Sequence, residues 1–408
     1  MPLPAIHVDF ARKLRPFLIE YVQADVKTLH SHGHKTPIHN SDFFANSLKI
    51  ILDQVDAPMQ ERVARMANAD LSEVKRDWQE FLGRLDNQTK TDIFRLYKAV
   101  DAEYHCFLNF YLFGGKVFHI TDGLTQHLLH TELKLPSSTI ELPFQSCIFS
   151  FTSPYAVDAL YQTMREADKP SVDWLPPYDA PITVSATLQE PHGNLPGRRL
   201  ALFVWHSKAP NCFMAQERNL YLPDDWNIEQ SLKTDWDAVA PDESRSPSAG
   251  LSLSAAGSEK LSDDFFYTDG LAFYRLVVNS ILYLNSSQPE VVTRESVLSK
   301  NLQAAAGIKS PKNRKKRIQE SNRESMLDYS SVGESVGIIV VNKGLPGTHI
   351  AAADSSIQSG VSVRFMVRGH WRNQAHGTQL NSRKLMWIRP YLKGPDMAEL
   401  INRPYEVK

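Results

Sequence analysis

The stretch "VRGHWRNQAHG", residues 367–377, gathers Arg368, His370, Trp371, Arg372, Gln374 and His376 with no acid among them. Arginine forks bind phosphates and carboxylates, and an indole face can stack on an unpaired base. A second chemistry is open to the two histidines. One histidine can take the 2′-hydroxyl proton of RNA and another protonate the leaving oxygen, with arginine stabilising the phosphorane. His370 and His376 are the candidates for such metal-independent cleavage, although a histidine bonded to backbone is the plainer reading of each.

The element that must position these groups is a strand. Val361, Val363, Phe365, Val367, Gly369 and Trp371 fall on one face; Arg364, Met366, Arg368, His370 and Arg372 fall on the other. One face is therefore buried and the other carries cations. Gly369 among apolar positions signals a close backbone approach or a bulge. His376 is expected in the turn that follows, and a return strand at about 384–392, in "RKLMWIRPYLKG", adds Arg383, Lys384, Arg389 and Lys393. Trp371 and Trp387 are expected to stack near one end of this ribbon. Seven Lys/Arg and no acid lie between Asp354 and Asp396. The expected contact set for RNA or a partner is Arg364, Arg368, His370, Trp371, Arg372, Gln374, Arg383, Trp387 and Arg389.

Other clusters are weaker. His30, His32, His34 and His39 could meet around zinc only if their loop folded back, and no cysteine or carboxylate lies within the cluster. Neither a metal nor a cofactor is expected. "KSPKNRKKRIQESNRES", 309–325, has six bases between Lys309 and Arg317 and reads as a solvated face, a disordered arm or a nucleic-acid contact. Asp263, Asp264 and Asp269 suit the first turn of a helix. The chain has no Walker loop, Rossmann glycine signature, GxSxG elbow or HExxH helix, which excludes several common enzyme classes.

The 408 residues are 42% hydrophobic and 22% charged, enough apolar material for a sizeable core. Three scattered cysteines fit a reducing cytosol rather than a disulfide framework. The most apolar helix candidate, 271–284, is too short to span a bilayer and carries Arg275 and Asn279. A net charge of −1 conceals an asymmetry: residues 291–408 hold 19 Lys/Arg against 9 Asp/Glu, leaving −11 on the rest. That pattern suits a polyanion or acidic partner approaching one side, or neutralisation of the two parts across an internal interface.

Residues 8–112 read as helical, with one long helix ended by Gly114-Gly115. From Lys116 short aromatic and β-branched runs imply strands, with "DGLTQHLLHTEL" a short helix after the first. A helix is expected at about 263–285 and a strand at 336–341. The expected fold is α+β, with a helical N-terminal region, a mainly antiparallel central sheet with helices, and a C-terminal basic β-hairpin. The expected boundaries are 1–115, 116–300 with a mobile Ser/Gly-rich loop at 240–260, a basic linker at 301–330, and 331–408.

Arg368-Gly369-His370-Trp371, followed after a polar turn by a basic strand with Trp387, resembles the C-terminal signature of type V-A anti-CRISPR proteins. These are encoded on phages, prophages and plasmids. The resemblance is carried by 361–393 and extends faintly over 116–300. It implies a protein that recognises the nascent N-terminal segment of a type V-A nuclease and suppresses its production through loss of its mRNA. It carries over to Arg368, Gly369, His370, Trp371 and Trp387, while "RNQAHG" after Trp371 departs from the family's more aromatic pattern. The resulting expectation is a binding protein rather than an enzyme. Its partners would be a nascent or short peptide and mRNA or the ribosome, in the cytoplasm, with no membrane. The alternative is a ribonuclease or RNA-binding protein built on the His/Arg hairpin.

Overall fold

The computed structural model describes residues 16–38, 103–166, 181–191, 197–209, 212–233, 251–252, 271–294, 303–324, 328–338 and 365–393, with a few isolated positions between 8 and 86. Most of residues 39–102, expected to be helical, lie outside the described residues, as do Arg364 and all of the 240–260 loop except Leu251–Ser252.

The aromatic and β-branched runs form strands, as their composition demands. In chain order these are β1 (Val117–Ile120), β2 (Thr131–Glu132), β3 (Ser146–Phe151), β4 (Ile182–Gln189), β5 (Arg198–Ala209), β6 (Cys212–Leu222), β7 (Leu251–Ser252), β8 (Val291–Arg294) and β9 (Tyr329–Val332). All but β2 join one eight-stranded sheet in the order β7-β6-β5-β4-β3-β1-β9-β8. β1 runs parallel to β3 and β9, and every other pairing is antiparallel. The protein is mixed α+β with a mainly antiparallel central sheet.

Successive residues of a strand point to opposite faces, and here both faces are covered. Phe118, Ile120, Phe149, Phe151, Leu200, Leu202 and Val204 join the larger core. Val117, Ile148, Phe203 and Trp205 point the other way, into a second core with Phe107, Leu108 and Phe110 of the helical residues 103–112. That second core also takes Leu18, Ile19 and Val22 of α1 (Pro16–Ser31), with Val26 and Leu29 packed against it at helical spacing. The helix over 103–112 ends at Gly114 and Gly115, both at positive φ, where the Gly115 N–H donates to the Phe110 carbonyl at 2.8 Å. This is the glycine stop expected from the sequence.

On the larger-core face lie α2 (Asp122–Leu129), α3 (Pro154–Glu166), α4 (Ile228–Lys233) and α5 (Leu271–Leu284). α5 is buried from Phe273 to Tyr283 at every position but Arg275, which pairs with Glu229 at 2.8 Å, because the rest of its sequence lacks a polar stripe. Residues 263–270 of the expected helix lie outside the described residues.

Two elements differ from expectation. The strand expected at 336–341 is not formed at 336–338, and 339–341 lie outside the described residues. The strand is β9 instead, whose half-polar "YSSV" has no apolar period but is held between β1 and β8. Gly333, at φ 78°, ends it, with an added Cβ 2.7 Å from Leu124. The second is the basic run, which forms α6 (Pro311–Glu324). Its Lys, Arg, Gln and Glu are straight-chain helix formers, and proline suits the first helical position.

Candidate functional site

The C-terminal ribbon comprises β10 (Phe365–Val367), β11 (Gly369–His376), β12 (Ser382–Ile388) and β13 (Tyr391–Lys393). β11 and β12 pair antiparallel, and β11 also runs parallel to β2, with Gly369 opposite Thr131 and His370 opposite Glu132. β10 pairs with β13 as a separate two-stranded sheet. The five residues between β11 and β12 turn through positive φ at Gly377, Gln379 and Leu380.

One face of the ribbon is fastened to the body. Trp371 is only 7% exposed, and its indole N–H donates to Asn279 Oδ1 at 2.8 Å. Asn279, fully buried in α5, donates from Nδ2 to the carbonyls of Leu128 and Thr131 at 3.0 and 3.1 Å. One side chain thus joins the buried helix, the α2–β2 connection and the ribbon, with every bond neutral. Trp387 lies directly across from Trp371, ring centroids 6.4 Å apart and planes tilted by 31°. Its N–H donates to Thr131 Oγ1 at 3.1 Å, and its ring meets Tyr283 edge-on at 5.2 Å.

Gly369 completes the seam. Its N–H donates to the His130 carbonyl at 2.9 Å. A Cβ there would stand 2.7 Å from Thr131 Oγ1 and 2.9 Å from the Ile388 carbonyl, so no larger residue fits without a shift. This is the close approach expected at that position. At the far end of α5, the Ser287 N–H donates to the Leu385 carbonyl at 2.9 Å.

Directly opposed residues of an antiparallel pair share a face. Their register therefore divides the expected contact set. His370, Arg372, Gln374 and His376 point outward together with Ile388, Met386, Lys384 and Ser382. Trp371, Asn373 and Ala375 share the body-side face with Trp387, Leu385 and Arg383. Arg389 lies over the Trp387 ring, its Cζ 5.6 Å from the centroid, and Arg368 sits at the break between β10 and β11, 3.9 Å from Glu132. His370 and Arg372 are exposed. Among the described residues neither Arg372 nor Lys384 is paired with a carboxylate. The outward face is thus a patch of guanidinium, ammonium, imidazole and amide groups flanked by two apolar side chains.

The two histidines do not converge. They stand six residues apart on one straight strand, about 20 Å at the usual rise. General acid and base must both reach the reacting phosphate within hydrogen-bond distance. His376 is also the last residue of β11 rather than part of the turn, and sits opposite Ser382.

His127 lies beneath the ribbon, its Nε2 3.1 Å from the Gly337 carbonyl and its ring edge-on to Trp387 at 6.1 Å. Burial lowers its pKa below the ordinary histidine value, and the nearby charge of Arg389 lowers it further. In the other histidine cluster, His30 Nε2 meets the Leu112 carbonyl at 3.2 Å and His32 Nδ1 meets the Thr28 carbonyl at 2.8 Å. His39 lies outside the described residues. Among the described residues no group of three His, Cys, Asp or Glu could hold a metal, and no helix is long and apolar enough to cross a membrane.

Sequence reasoning did not assign Asn279, Thr131 or His127 to this site. The signal for Asn279 is a lone amide inside the apolar run 271–284, which burial obliges to find partners.

Comparison with known proteins gives two matches. The family model described as "AcrVA2-like: Anti-CRISPR type V subtype A2 family" matches residues 118–394, about two thirds of the chain and the whole ribbon seam. A solved structure described as "Crystal structure of AcrVA2" is similar at 11% identity and a TM-score of 0.33, over 87% of this chain and 99% of that chain. No curated protein matches.

Proposed function

The chain belongs to the AcrVA2-like family of type V subtype A2 anti-CRISPR proteins, and from that premise we propose that it recognises a nascent or short peptide of a type V-A CRISPR nuclease and lowers that nuclease's expression through loss of its mRNA. It acts in the cytoplasm of a host cell, as the product of a phage or other mobile element. The ribbon faces the messenger or the ribosome, with His370, Arg372, Gln374 and Lys384 making contact. Trp371, Trp387 and Gly369 position that face, and Arg368, Arg383 and Arg389 extend its positive field around the edges.

The observation that carries this reading is the division of the ribbon. Neutral hydrogen bonds and packed rings fix one face to α5 and β2, while the opposite face presents Arg372 and Lys384, which pair with no carboxylate among the described residues, on a rigid frame. A rigid, one-sided display of donors suits recognition, since less freedom is lost on binding. The separation of His370 from His376 speaks against the ribonuclease alternative.

Co-expression with a type V-A nuclease tests the proposal. Nuclease protein and transcript are both expected to fall while an unrelated control stays constant; unchanged levels of both would remove the proposed function for that target. Purified protein is expected to leave labelled RNA intact. Cleavage that disappears in His370→Ala would instead favour the nuclease.

A further inference from the structure

We infer that α6 is a second nucleic-acid contact, separate from the ribbon, that grips the phosphate backbone of single-stranded RNA without reading its sequence. The choice of RNA rests on the function proposed above. The contact itself is argued from the helix.

Six Lys/Arg and no acid lie from Lys309 to Arg317, and every residue from Pro311 to Arg317 is exposed. No other described strand or helix packs extensively along α6. Its base is anchored: Ala305 is fully buried, the Arg314 N–H donates to the Ser310 carbonyl at 2.9 Å, and Arg314 Nε donates to the Ile308 carbonyl at 3.1 Å.

Charge order within the helix points outward as well. The first turn contains no acid, and Glu320 and Glu324 come only in the second half. A helix dipole favours the reverse order, so the placement of these cations is not one that the dipole selects. They concentrate positive potential for something outside it.

Side-chain types select the occupant. Protein interfaces rely on aromatic and arginine anchors and are depleted in lysine. Here four of the six bases are lysines, and 309–317 contains no aromatic residue and no apolar one except Pro311. Lysine is a compact point charge that suits a phosphate without demanding a fixed geometry. At about 100° per residue, Lys312, Lys315 and Lys316 share one side of the helix, and Arg314 and Arg317 lie on the other. A flexible single strand can follow both sides, whereas a rigid duplex meets mainly the side it approaches.

The test uses the full-length protein and a fluorescent 20-nucleotide oligouridylate, with anisotropy titrations at several salt concentrations. The triple variant Lys312→Glu, Lys315→Glu, Lys316→Glu should weaken binding at least tenfold. It should also reduce the slope of log K against log salt by about 2, since each lost single-strand phosphate contact removes about 0.7. The triple Lys→Arg variant should bind like the parent. Circular dichroism melts establish that each variant is folded, as expected for exposed positions. Absence of RNA binding by the parent, or an unchanged affinity and slope in the triple Glu variant, would overturn the inference. So would α6-dependent binding that prefers duplex DNA or poly-glutamate to RNA. Nuclease transcript levels in co-expressing cells separate this from the functional reading. A transcript that falls while the Glu variant binds RNA normally removes α6 alone; a transcript that does not fall while the variant loses RNA removes only the functional reading.

Discussion

The ribbon at 365–393 and α6 are the two basic stretches of the C-terminal third, and they are supported in opposite ways. The ribbon is fastened to a buried helix through Asn279, Thr131, Trp371 and Trp387, and Gly369 allows the two backbones to meet. Among the described residues α6 is tied down near its start, and it stands exposed along 311–317. Neither attachment depends mainly on opposite charges, even though the rest of the chain is acidic. The contact between Arg368 and Glu132 is 3.9 Å long and half-exposed, a geometry worth little in water. Among the described residues the ribbon is held to the body mainly by neutral hydrogen bonds and packed rings. Arg372 and Lys384, which pair with no carboxylate among the described residues, stand on a rigid frame in one region, and Lys312 and Lys315 stand on an exposed helix in the other.

Changes at the seam are the severest way to break this contrast. Trp371→Ala removes a large buried side chain and should cost about 3–5 kcal/mol in denaturant unfolding, with amide exchange in β11 and β12 rising most. A loss under about 1 kcal/mol would mean that the indole does not support the ribbon. Asn279→Ala leaves the Trp371 N–H and the Leu128 and Thr131 carbonyls short of a partner, and about 1–3 kcal/mol should be lost. An Asn279→Ala variant as stable as the parent would show that water or repacking satisfies those groups.

Acid should loosen the same seam more gently. The His127 pKa is lowered in the folded protein, chiefly by burial, and so is that of His119. As pH falls through about 6.5, the unfolded chain takes up protons that the folded one resists, so stability declines until the folded histidines also titrate. Melting temperature should therefore fall between about pH 7 and pH 5, and His127→Gln should flatten part of that decline. A parent protein with no pH dependence in this window would contradict the burial assigned to these rings. The smallest effects belong to the outward face: Arg372→Ala and Lys384→Ala should each alter stability by no more than about 0.5 kcal/mol.

The seam also shows what the amino-acid order makes legible. Strands β1 and β3 to β6 follow from runs of aromatic and β-branched residues between turn signals, because those residues fit a pleated, packed surface. The burial of Trp371 and the tight approach at Gly369 follow from period-two alternation within a single strand. Division of the cations between two faces was readable on β11 but not on β12. The register of β12 depends on a five-residue turn whose positive φ values at Gln379 and Leu380 have no glycine to announce them. β9 was invisible because its place comes from its neighbours and not from its own pattern. The bond between Asn279 and Trp371 spans 92 positions, and local periodicity carries no information over that distance. α6 was missed for a different reason: its charge run also suits a solvated linker, and only its helix-forming side chains distinguish the two.

The central claim is that the outward face of the ribbon recognises and the inward face supports. The double variant Arg372→Glu, Lys384→Glu tests it most directly, co-expressed with a type V-A nuclease while the nuclease transcript is measured. A variant that melts like the parent yet leaves the transcript at its uninhibited level is the expected result. A folded variant that still lowers the transcript as far as the parent does would contradict it.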